Sequence, residues 1–417
     1  MKIDGRLSFA GDKSISHRAL MLAALTNGDC VIANPSRGQD VESTRRCLAQ
    51  CGIASRREND SIVVSGGRLS DPLVSLDCGN SGTSARLLLG LLAGQGVAAT
   101  LTGDRSLSKR PMQRVIDPLL QMGATVTNNT GYLPIKLAAQ PLHGITYRTP
   151  VASAQVKSAL LLAGLGADGA TTVIEDQPTR DHTENMLTAL GVELERSNTG
   201  ITVHPRTAPL PRFDLSVPGD PSTAAFFAAA AAGSPGSRLR LVGLSLNPRR
   251  TGFFTALERM GAGVTCHRTA SRLNEPVGDI EIVARPLRGI TVLGAEIPGL
   301  IDELPILAVL AAGAYGKTIV RGAAELRVKE SDRITALVTN LRRLGATVRE
   351  FPDGLEITGP AELRGGRVTT YDDHRIAMAF RIAGLIAGVP IILDNPGCIG
   401  ISAPEFEQSL NQVTCTG

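Results

Sequence analysis

The stretch from Gly79 to Gly94, GNSGTSARLLLGLLAG, contains the pattern that decides the fold. It begins with small and polar residues, is apolar nearly all round from Ala85 to Leu92, and closes on a glycine. A helix that lacks a polar face is buried on all sides, and a glycine after the last turn is a C-cap signal. The stretch therefore predicts a buried helix with a polar start and a glycine at its end.

Five other segments of the 417-residue chain share this pattern. The six apolar segments are 19–25, 85–92, 156–165, 224–232, 304–312 and 376–386, and the glycines that close them are Gly28, Gly94, Gly166, Gly233, Gly313 and Gly388. Successive glycines in this series lie 66 to 80 residues apart. A repeat of roughly 70 residues is too long for a solenoid of simple helix pairs. We therefore expect each repeat to contain strands as well as helices.

A second series, of amphipathic helices that end at a glycine and precede a short strand, alternates with the first. Its glycines are Gly52, Gly123, Gly191, Gly261 and Gly345. A sixth glycine would fall near residue 415, where the chain ends. We therefore expect the N-terminal strand around residues 2–9 to complete the last unit.

Chain length and repeats together predict two domains. At about 150 residues per domain, the length alone allows two or three domains. The economical arrangement of the six units is two cores, each surrounded by three units, because each buried helix needs sheets on its outside. Pro218-Gly219-Asp220-Pro221 lies between the third and fourth units, so this segment is a hinge candidate. The second connection between the two domains would lie near Gly11. We expect one domain over 12–218 and a second over 1–11 plus 219–417.

Composition argues against several classes of protein. The 43 Lys and Arg against 39 Asp and Glu leave a net charge of +4, which does not suit a protein that coats a polyanion. Aromatic residues make up 3% with no Trp, too few for a base-stacking platform. The chain start is polar, and the longest apolar run, around 224–232, is too short to span a membrane. Seven cysteines without C-x-x-C spacing suit reduced thiols, so we expect a cytoplasmic location.

The residues that precede the buried helices suit anion binding. These segments are 11–18, 79–84, 152–155, 219–223, 302–303 and 372–375. Small residues and caps leave backbone N–H groups free at a helix start, where the macrodipole favours negative charge. Two connectors, 103–111 and 325–333, add Arg and Lys, which recognise phosphate and carboxylate. If the units are related by rotation, these helix starts converge on one region.

Motifs for other chemistries are weak. Gly11-Asp12-Lys13-Ser14 is similar to the end of a Walker A loop but lacks its spacing. His17, His182 and His374 have no metal-ligand spacing with another His or Cys, so we interpret them as structural. The sequence contains no Gly-x-Ser-x-Gly elbow. These observations predict neither a metal site nor a serine hydrolase.

Five motifs, in order along the chain, closely resemble those of the 5-enolpyruvylshikimate-3-phosphate synthases, which belong to the enolpyruvyl transferases. They are GDKSISHR at 11–18, GNSGT at 79–83, KRP at 109–111, RVKESDR at 327–333 and DHR at 373–375. The segments TRDHTE at 179–184 and DE at 302–303 are similar to the bacterial variants of the family. The resemblance runs from about Gly11 to Pro404, which is nearly the whole chain.

The resemblance implies both a fold and a reaction. The fold is a two-domain inside-out α/β barrel of six βαβαββ repeats, three per domain, with buried helices and a hinge. In the reaction, the 5-hydroxyl of shikimate 3-phosphate adds to C2 of phosphoenolpyruvate, and phosphate leaves from a tetrahedral intermediate. The resemblance implies no metal and no other cofactor, and it implies inhibition by glyphosate, a phosphoenolpyruvate mimic. We expect a monomer with no nucleic-acid or membrane partner.

The resemblance also implies roles for individual residues. Around shikimate 3-phosphate it places Lys13, Ser14, Arg18, Ser153, Gln155, Arg180, Asp302 and Lys329. Around phosphoenolpyruvate it places Lys13, Gly82, Arg110, Gln155, Arg333 and Arg375. The catalytic set it implies is Asp302 to accept the hydroxyl proton, Glu330 to shuttle a proton to and from the methylene carbon, and Lys13 to assist the leaving phosphate.

Two positions depart from the family pattern. The loop 398–404 contains no Lys, whereas the family often has one near phosphoenolpyruvate. Ala154 stands where some relatives have a second Ser, which removes a hydrogen bond worth about 0.5–1.5 kcal/mol. Gly82 leaves the pocket uncrowded, which favours glyphosate binding.

Two alternative functions remain. The sister enolpyruvyl transferase that acts on UDP-N-acetylglucosamine shares the fold, but it normally carries a Cys in the loop over phosphoenolpyruvate, and 103–114 contains none. A non-catalytic anion-binding repeat protein would gain nothing from carboxylates such as Asp302 and Glu330, which weaken anion binding. Both arguments favour the shikimate reaction.

Overall fold

The chain folds as a mixed α/β protein, and the computed structural model describes residues 2–127 and 130–415. Its α-helices are α1 (Lys13–Ala24), α2 (Gln39–Gln50), α3 (Gly82–Gly94), α4 (Gln113–Gln121), α5 (Ala154–Gly164), α6 (His182–Ala189), α7 (Pro221–Gly233), α8 (Gly252–Arg259), α9 (Ile297–Leu300), α10 (Leu304–Gly313), α11 (Arg333–Arg343), α12 (His374–Ala387) and α13 (Phe406–Val413). Short 3₁₀ turns cover Leu107–Lys109, Ile301–Glu303, Ala324–Val328 and Pro396–Ile401.

The strands are short and alternate with these helices. They are β1 (Lys2–Ser8), β2 (Gly28–Ala33), β3 (Ser55–Glu58), β4 (Ser61–Gly66), β5 (Leu76–Asp77), β6 (Ala99–Thr102), β7 (Val126–Thr127), β8 (Ile135–Leu137), β9 (Thr146–Arg148), β10 (Thr171–Ile174), β11 (Leu194–Arg196), β12 (Gly200–Val203), β13 (Leu215–Ser216), β14 (Arg238–Ser245), β15 (Gly263–Arg272), β16 (Glu275–Val283), β17 (Thr291–Val292), β18 (Gly316–Val320), β19 (Thr347–Phe351), β20 (Gly354–Gly359), β21 (Gly366–Val368), β22 (Ile391–Leu393) and β23 (Thr414–Cys415).

The chain divides into two compact units. The N-terminal unit comprises 11–217 together with 271–275, and the C-terminal unit comprises 1–10, 218–270 and 276–417. Each unit has its own hydrophobic core. The first and last residues of the expected domains, Met1 and Gly417, lie outside the described residues.

The N-terminal unit contains three four-stranded sheets with one shared topology. The strand orders are β13-β2-β4-β3, β5-β6-β8-β7 and β9-β10-β12-β11. In each sheet a parallel pair is extended by an antiparallel hairpin, as in the second sheet, where β5 pairs parallel with β6 and β6 pairs antiparallel with β8. The second and third sheets therefore repeat the same local chain path, and the first repeats their pairing with β13, from the end of the unit, as its outer parallel strand.

The C-terminal unit contains one sheet of the same order, β17-β18-β20-β19, and two sheets that differ. The five-stranded sheet β15-β16-β14-β1-β23 combines both ends of the chain, because β1 pairs parallel with β14 and antiparallel with β23. In this pairing Lys2 lies opposite Cys415 and Ile3 opposite Thr414. The strands β21 and β22 form a parallel pair of their own.

The six apolar segments of the sequence lie in α1, α3, α5, α7, α10 and α12, and these helices are buried over most of their length. In α7, for example, residues 224–232 are at most 3% exposed. No described helix combines the length and apolar composition that a membrane span requires. All seven cysteines are free thiols, and five of them are buried.

Glycine ends the two series of helices for different reasons. The second residue after each amphipathic helix is Gly52, Gly123, Gly191, Gly261 or Gly345, with φ between +73° and +108°, a conformation that costs other residues free energy. Among the described buried helices, the glycine of the apolar series is itself a left-handed cap at α12 alone, and α3 is followed instead by a different left-handed glycine, Gly96, with φ +62°. The expectation of a glycine cap on every buried helix was therefore wrong. Gly94 is the last residue of α3, where a Cβ would lie 2.6 Å from the Ala163 carbonyl oxygen, so packing requires the glycine.

Small residues let α3 and α5 approach each other closely. A Cβ on Gly90 would lie 2.2 Å from the carbonyl oxygen of Ala159, and a Cβ on Gly166 would lie 1.7 Å from that of Gly94. These distances are far below van der Waals contact, so the two backbones touch directly. The contact fixes how the starts of the two helices lie relative to each other.

We expect Gly90→Ala to lower the free energy of unfolding by about 1–3 kcal/mol, because the new methyl overpacks a backbone contact. Gly313→Ala is the matched control: Gly313 ends α10, and a Cβ there meets nothing within 4 Å. The control should leave stability unchanged or raise it slightly, since alanine is the better helix former. Urea unfolding followed by circular dichroism measures both, and equal stabilities would contradict the close contact.

Candidate active site

The start of α1 positions the first predicted cation. Asp12 caps the helix by accepting a hydrogen bond of 2.9 Å from the Ile15 N–H. Lys13, the next residue, places its Nζ 2.9 Å from Asp40 Oδ2 at the start of α2. The side chains of Lys13 and Asp40 are 18% and 13% exposed, so the pair is largely shielded from water.

Arg18 lies one turn further along α1 and is 4% exposed. It donates from Nη1 to the Ser14 carbonyl at 2.9 Å, from Nε to Thr183 Oγ1 at 2.7 Å and from Nη2 to Ser158 Oγ at 2.6 Å. Burial lowers the pKa of Arg18 to about 10, which leaves the guanidinium charged at neutral pH. Arg18 thus connects α1, α5 and α6 through neutral oxygens.

The start of α3 brings Gly82 and Arg110 together. Ser81 caps the helix by accepting from the Ser84 N–H, and Gly82 is the first helical residue. Arg110 is 8% exposed and donates from Nη2 to Asn80 Oδ1 at 2.6 Å and to Ser106 Oγ at 3.2 Å. A Cβ on Gly82 would lie 3.6 Å from Arg110 Nη1.

The start of α5 supplies Ser153 and Gln155. Ser153 caps the helix by accepting from the Val156 N–H at 3.4 Å. Gln155 donates from Nε2 to Thr83 Oγ1 at 2.9 Å and accepts at Oε1 from Arg86 Nη1 at 2.7 Å. Gln155 is thereby fixed against α3, beside Gly82.

The connection from β10 to α6 contains Arg180, and a buried lysine on α5 pairs with an acid on each side of it. Lys157, 3% exposed, places its Nζ 2.7 Å from Glu175 Oε2 and 2.7 Å from Glu184 Oε1. These two acids stand on either side of Arg180 in the sequence. The charge of Arg180 acts on Arg18, where it adds to the effect of burial in lowering the pKa of that residue.

In the C-terminal unit, Arg333 is the centre of the predicted residues. It is the first residue of α11 and only 1% exposed. It donates from Nε to Asp373 Oδ2 at 2.8 Å, from Nη2 to Glu330 Oε2 at 2.6 Å and from Nη1 to Asp302 Oδ1 at 3.3 Å. Although burial opposes the charge, the three carboxylates outweigh it and raise the pKa of Arg333.

Asp373 connects this cluster to the start of α12. It accepts hydrogen bonds from the Arg375 N–H at 2.9 Å as the helix cap and from Ser331 Oγ at 3.0 Å. Burial alone would raise the pKa of Asp373, but the adjacent Arg333 charge holds it below its usual value. The carboxylate is therefore ionised at neutral pH.

Asp302 contacts the two remaining predicted cations of this unit, Lys329 and Arg375. Lys329 Nζ lies 3.8 Å from Asp302 Oδ1, and Arg375 donates from Nη1 to the Asp302 carbonyl at 3.0 Å. Arg375 Nη1 also lies 3.7 Å from an oxygen of the buried Glu303. All five residues predicted in this unit, Asp302, Lys329, Glu330, Arg333 and Arg375, therefore belong to one cluster of contacts.

The predicted residues of the N-terminal unit lie at or near the starts of α1, α3, α5 and α6, except Arg110, which lies in the loop before α4. Sequence reasoning did not assign a role to five other charged residues of the two units, which are Asp40, Arg86, Lys157, Glu303 and Asp373. One signal was available for Arg86, since it is the single charged residue of a helix that is otherwise apolar from Ala85 to Leu92. Asp373 likewise has the type and position of a helix cap.

A family model for EPSP synthase (3-phosphoshikimate 1-carboxyvinyltransferase) matches residues 1–410. The chain belongs to the EPSP synthase family. It is 46% identical over 418 residues to the 3-phosphoshikimate 1-carboxyvinyltransferase of Alkaliphilus metalliredigens, a match that covers 99% of this chain and 98% of the relative. It is 48% identical over 411 residues to that of Thermus thermophilus, covering 97% and 95%. The solved structure of EPSP synthase from Acinetobacter baumannii matches with a TM-score of 0.88 at 39% identity, covering 100% of this chain and 96% of that one.

Membership of the EPSP synthase family establishes the activity. The enzyme transfers the enolpyruvyl group of phosphoenolpyruvate to shikimate 3-phosphate, a step of aromatic amino-acid biosynthesis in the shikimate pathway. Its two substrates are these two phosphorylated anions. The resemblance noted in the sequence, and the α/β fold expected from it, are confirmed.

One group among the described residues offers three metal-ligand atoms close together. The ligand atoms of Glu193, Glu195 and His204 lie within 4.8 Å of one another on the β11–β12 hairpin. His204 Nε2 is 2.9 Å from Glu195 Oε1, which a simple hydrogen bond explains. None of the three is among the residues predicted for the EPSP synthase site.

His17, which stands between Lys13 and Arg18, is a structural histidine. It is fully buried, and its Nδ1 lies 2.7 Å from Thr44 Oγ1. Burial lowers the pKa of His17 to about 3, with the positive charges of Lys13 and Arg18 adding to the effect. His17 is therefore neutral in the folded enzyme at neutral pH.

This depressed pKa predicts a loss of stability in acid that His17→Asn should reduce. Since the unfolded chain binds the proton near pH 6.5 and the folded chain only near pH 3, the contribution is complete above pH 6.5 and is lost as the pH falls towards 3. The loss is about 1.4 kcal/mol per pH unit. Between pH 7.5 and 5.0, His17→Asn should therefore lose about 2 kcal/mol less unfolding free energy than the wild type.

Urea unfolding at the two pH values measures this difference. The matched control is His267→Asn, because His267 is exposed on β15. The control should follow the wild-type pH dependence. An identical pH dependence for wild type and His17→Asn would mean that His17 takes up its proton in the folded state.

Proposed function

We propose that shikimate 3-phosphate is held mainly by the N-terminal unit and that the C-terminal unit completes the phosphoenolpyruvate site. The residues proposed for shikimate 3-phosphate are Lys13, Ser14, Arg18, Ser153, Gln155, Arg180, Asp302 and Lys329. Those proposed for phosphoenolpyruvate are Lys13, Gly82, Arg110, Gln155, Arg333 and Arg375. The observation that carries the proposal is the cluster around Arg333, in which three separate segments bring both proposed catalytic acids to three cations.

The charges of the proposed site match those of the substrates. Each substrate brings one phosphate of roughly −1.5 to −2 and one carboxylate, which gives about −5 to −6 for the pair. The proposed cations are Lys13, Arg18, Arg110, Arg180, Lys329, Arg333 and Arg375. Seven positive charges slightly exceed this negative charge, and a guanidinium group can bind a phosphate or a carboxylate through two hydrogen bonds.

In the addition step, Asp302 acts as the base. Its carboxylate takes the proton from the 5-hydroxyl as the hydroxyl oxygen forms a bond to C2 of phosphoenolpyruvate. Glu330, in its protonated form, gives a proton to C3, which becomes a methyl group. The product of this step is a tetrahedral intermediate that still carries the phosphate on C2.

In the elimination step, the bond between C2 and the phosphate oxygen breaks, and phosphate leaves with the proton that Asp302 took from the hydroxyl, which restores the Asp302 carboxylate. Glu330 takes back a proton from the methyl group, which restores the double bond between C2 and C3. Lys13 assists by placing its ammonium beside the leaving phosphate oxygen. The ion pair of Lys13 with Asp40 supports this role, because it fixes the ammonium at the start of α1.

Glu330 needs a change of environment before it can act as an acid. Arg333 donates to Glu330 at 2.6 Å, which favours the carboxylate form. The carboxylate of phosphoenolpyruvate can take over this donor, since Arg333 is proposed to bind that substrate. The exchange would leave Glu330 beside a second negative charge, which raises the pKa of a carboxyl group. Substrate binding thus prepares the acid.

The expected domains and repeats form part of the same proposal. We propose one domain over 12–218 and another over 1–11 plus 219–417, each built from three βαβαββ copies as an inside-out barrel and joined by hinges near Gly11 and Pro218–Asp220. The shared strand order of four sheets supports the repeats. We propose further that binding of the two anions closes the domains, because the cations come from both.

Three further properties follow from the family and the sequence. We propose that glyphosate inhibits the enzyme by occupying the phosphoenolpyruvate position beside Gly82. We propose a monomer, with a cytoplasmic location.

The activity is tested by phosphate release in a coupled assay with the purified enzyme. We expect phosphate to be released from phosphoenolpyruvate with shikimate 3-phosphate and not with UDP-N-acetylglucosamine. Release with UDP-N-acetylglucosamine alone would assign the chain to the sister enolpyruvyl transferase. Binding of both substrates without any phosphate release would leave an anion-binding protein without catalysis.

Glu330→Gln tests the proposed proton shuttle. We expect kcat to fall by about 10²–10⁴, the usual contribution of a general acid–base group, and the pH–rate profile to lose the limb that reports the Glu330 carboxyl. Glu356→Gln is the control, because Glu356 pairs with Lys317 on a strand and is not a proposed site residue. A pH–rate profile identical to that of the wild type would exclude Glu330 from the proton transfers.

A further inference from the structure

A long hairpin of the C-terminal unit ends in the N-terminal unit. Its strands β15 and β16 contain 10 and 9 residues and are the longest of the strands that the structure describes. The chain up to 270 and from 276 belongs to the C-terminal unit, whereas the hairpin tip, 271–275, belongs to the N-terminal unit. Residues 265–272 are exposed along β15, the edge strand of its sheet. The contacts of the tip show what this exposed arm does.

The turn at the hairpin tip has an unusual backbone conformation. Leu273 and Asn274, which lie between the two strands, have φ values of +44° and +61°. A two-residue turn that matches the twist of its strands needs a positive φ at both positions, and leucine adopts it at a greater cost than asparagine. Leu273 packs against the core of the N-terminal unit, so apolar burial offsets this cost. The tip is therefore anchored in that unit.

Glu275, the last residue of the tip, connects it to the start of α6. Its side chain is 1% exposed, and its Oε1 lies 2.9 Å from Nδ1 of the buried His182, the first residue of α6. The same oxygen accepts a hydrogen bond of 3.1 Å from Asn185 Nδ2. Asn274 adds a contact from its Nδ2 to the Asn185 carbonyl at 3.4 Å. The hairpin tip therefore holds the first turn of α6.

The start of α6 lacks the support that other helix starts of the unit have. Asp181 occupies the cap position, but its side chain makes no capping hydrogen bond in the described structure and accepts instead from Asn185 Nδ2 at 3.3 Å. A carboxylate beside the first turn of a helix interacts favourably with the positive end of the macrodipole. Glu275 provides such a carboxylate from outside the helix.

The first turn of α6 also bears on two of the residues proposed for shikimate 3-phosphate. Arg180 precedes His182, the first helical residue, by two positions. Thr183 Oγ1, in the same turn, accepts the hydrogen bond of 2.7 Å from Arg18 Nε. A shift of this turn would therefore move the backbone of Arg180 and withdraw an acceptor from Arg18.

The charge of Glu275 acts on Arg18 as well. Burial lowers the pKa of Arg18, and the positive charge of Arg180 lowers it further. The negative charge of Glu275 opposes both effects on this pKa. Glu275 thus favours the charged form of Arg18.

We propose that Glu275 is a positioning residue for the shikimate 3-phosphate site and that a hairpin arm of the C-terminal unit supplies it. Glu275 holds the first turn of α6, and this turn places Arg180 and supports Arg18. The site then depends on a segment whose chain continues on both sides into the C-terminal unit. This inference rests on the proposed function, since it assumes that Arg18 and Arg180 bind shikimate 3-phosphate.

Glu275→Ala tests the positioning role by isothermal titration calorimetry with shikimate 3-phosphate, because it removes the acceptor of His182 and Asn185. We expect the Kd to rise about tenfold, the factor that corresponds to the loss of one hydrogen bond of a charged group. The kcat, and the KM for phosphoenolpyruvate at saturating shikimate 3-phosphate, should change by less than about threefold, because Glu275 touches neither substrate in the proposed site. A lower number of binding sites per enzyme with an unchanged Kd would indicate a merely structural role and overturn the proposal.

Glu275→Gln tests whether the hydrogen bonds carry the effect. Glutamine keeps an acceptor oxygen and lacks the charge. We expect its Kd for shikimate 3-phosphate to stay within about threefold of the wild type. Equal weakening by glutamine and by alanine would contradict positioning through these hydrogen bonds.

The matched control is Glu281→Ala. Glu281 lies on the same strand, β16, and pairs with the exposed Arg238 of β14. Its removal should leave the Kd for shikimate 3-phosphate at the wild-type value. A Kd raised as much as in Glu275→Ala would mean that any change in the hairpin has this effect, and the specific role of Glu275 would be wrong.

Asn185→Ala keeps the proposal testable if Glu275→Ala fails to fold. Asn185 is only half-buried, and its removal takes away one of the two contacts to Glu275 Oε1. We expect the Kd for shikimate 3-phosphate to rise about threefold, and an unchanged Kd would overturn the proposal. The two proposals can fail separately, because a wild type that does not bind shikimate 3-phosphate contradicts the proposed function, whereas wild-type binding that these variants leave unchanged contradicts this inference alone.

Discussion

The contacts of the buried Arg333 guanidinium are those on which the predicted site residues of the C-terminal unit depend. It holds carboxylates from three segments, Asp302 before α10, Glu330 before α11 and Asp373 at the start of α12. Asp373 in turn caps α12 and so places Arg375. Breaking a buried pair by removing one partner costs about 3–5 kcal/mol. One cation therefore fixes the positions of both proposed catalytic acids.

The N-terminal half depends instead on the close contact of two parallel helices. Thr83 and Gln155 meet at the starts of α3 and α5, and Gly94 meets Ala163 at their ends, so the helices run side by side in one direction. Parallel macrodipoles repel each other and concentrate positive potential at the shared N-terminal end. Backbone contact through small residues stabilises this arrangement. The result is a concentration of positive potential at the helix starts where the proposed phosphoenolpyruvate contacts Gly82 and Gln155 lie.

The sequence was sufficient for the buried helices, because these depend on local patterns, whereas the roles of the individual site residues came from the family resemblance and stay predictions. Apolar segments predicted the buried helices, and small or capping residues such as Ser81 and Ser153 marked their starts. The sequence did not predict which residues contact the proposed site residues. Nothing local indicates that Arg86 meets Gln155, 69 positions away, or that Arg333 meets Asp373, 40 positions away. Such pairs are determined by tertiary packing. The same packing explains why position 94 requires glycine for the close approach of α3 and α5 and not for a helix cap.

Arg18 and Arg333 are held in different ways, and this difference bears on the proposed chemistry. Arg18 donates to the neutral oxygens of Ser14, Ser158 and Thr183, so an incoming phosphate adds to these contacts without displacing an acid. Arg333 already donates to carboxylates, so an anion that reaches it must take the place of one of them. If the displaced group is Glu330, binding of phosphoenolpyruvate and protonation of the acid become one event. In the proposed site, Arg333 therefore couples recognition to catalysis, whereas Arg18 serves recognition alone.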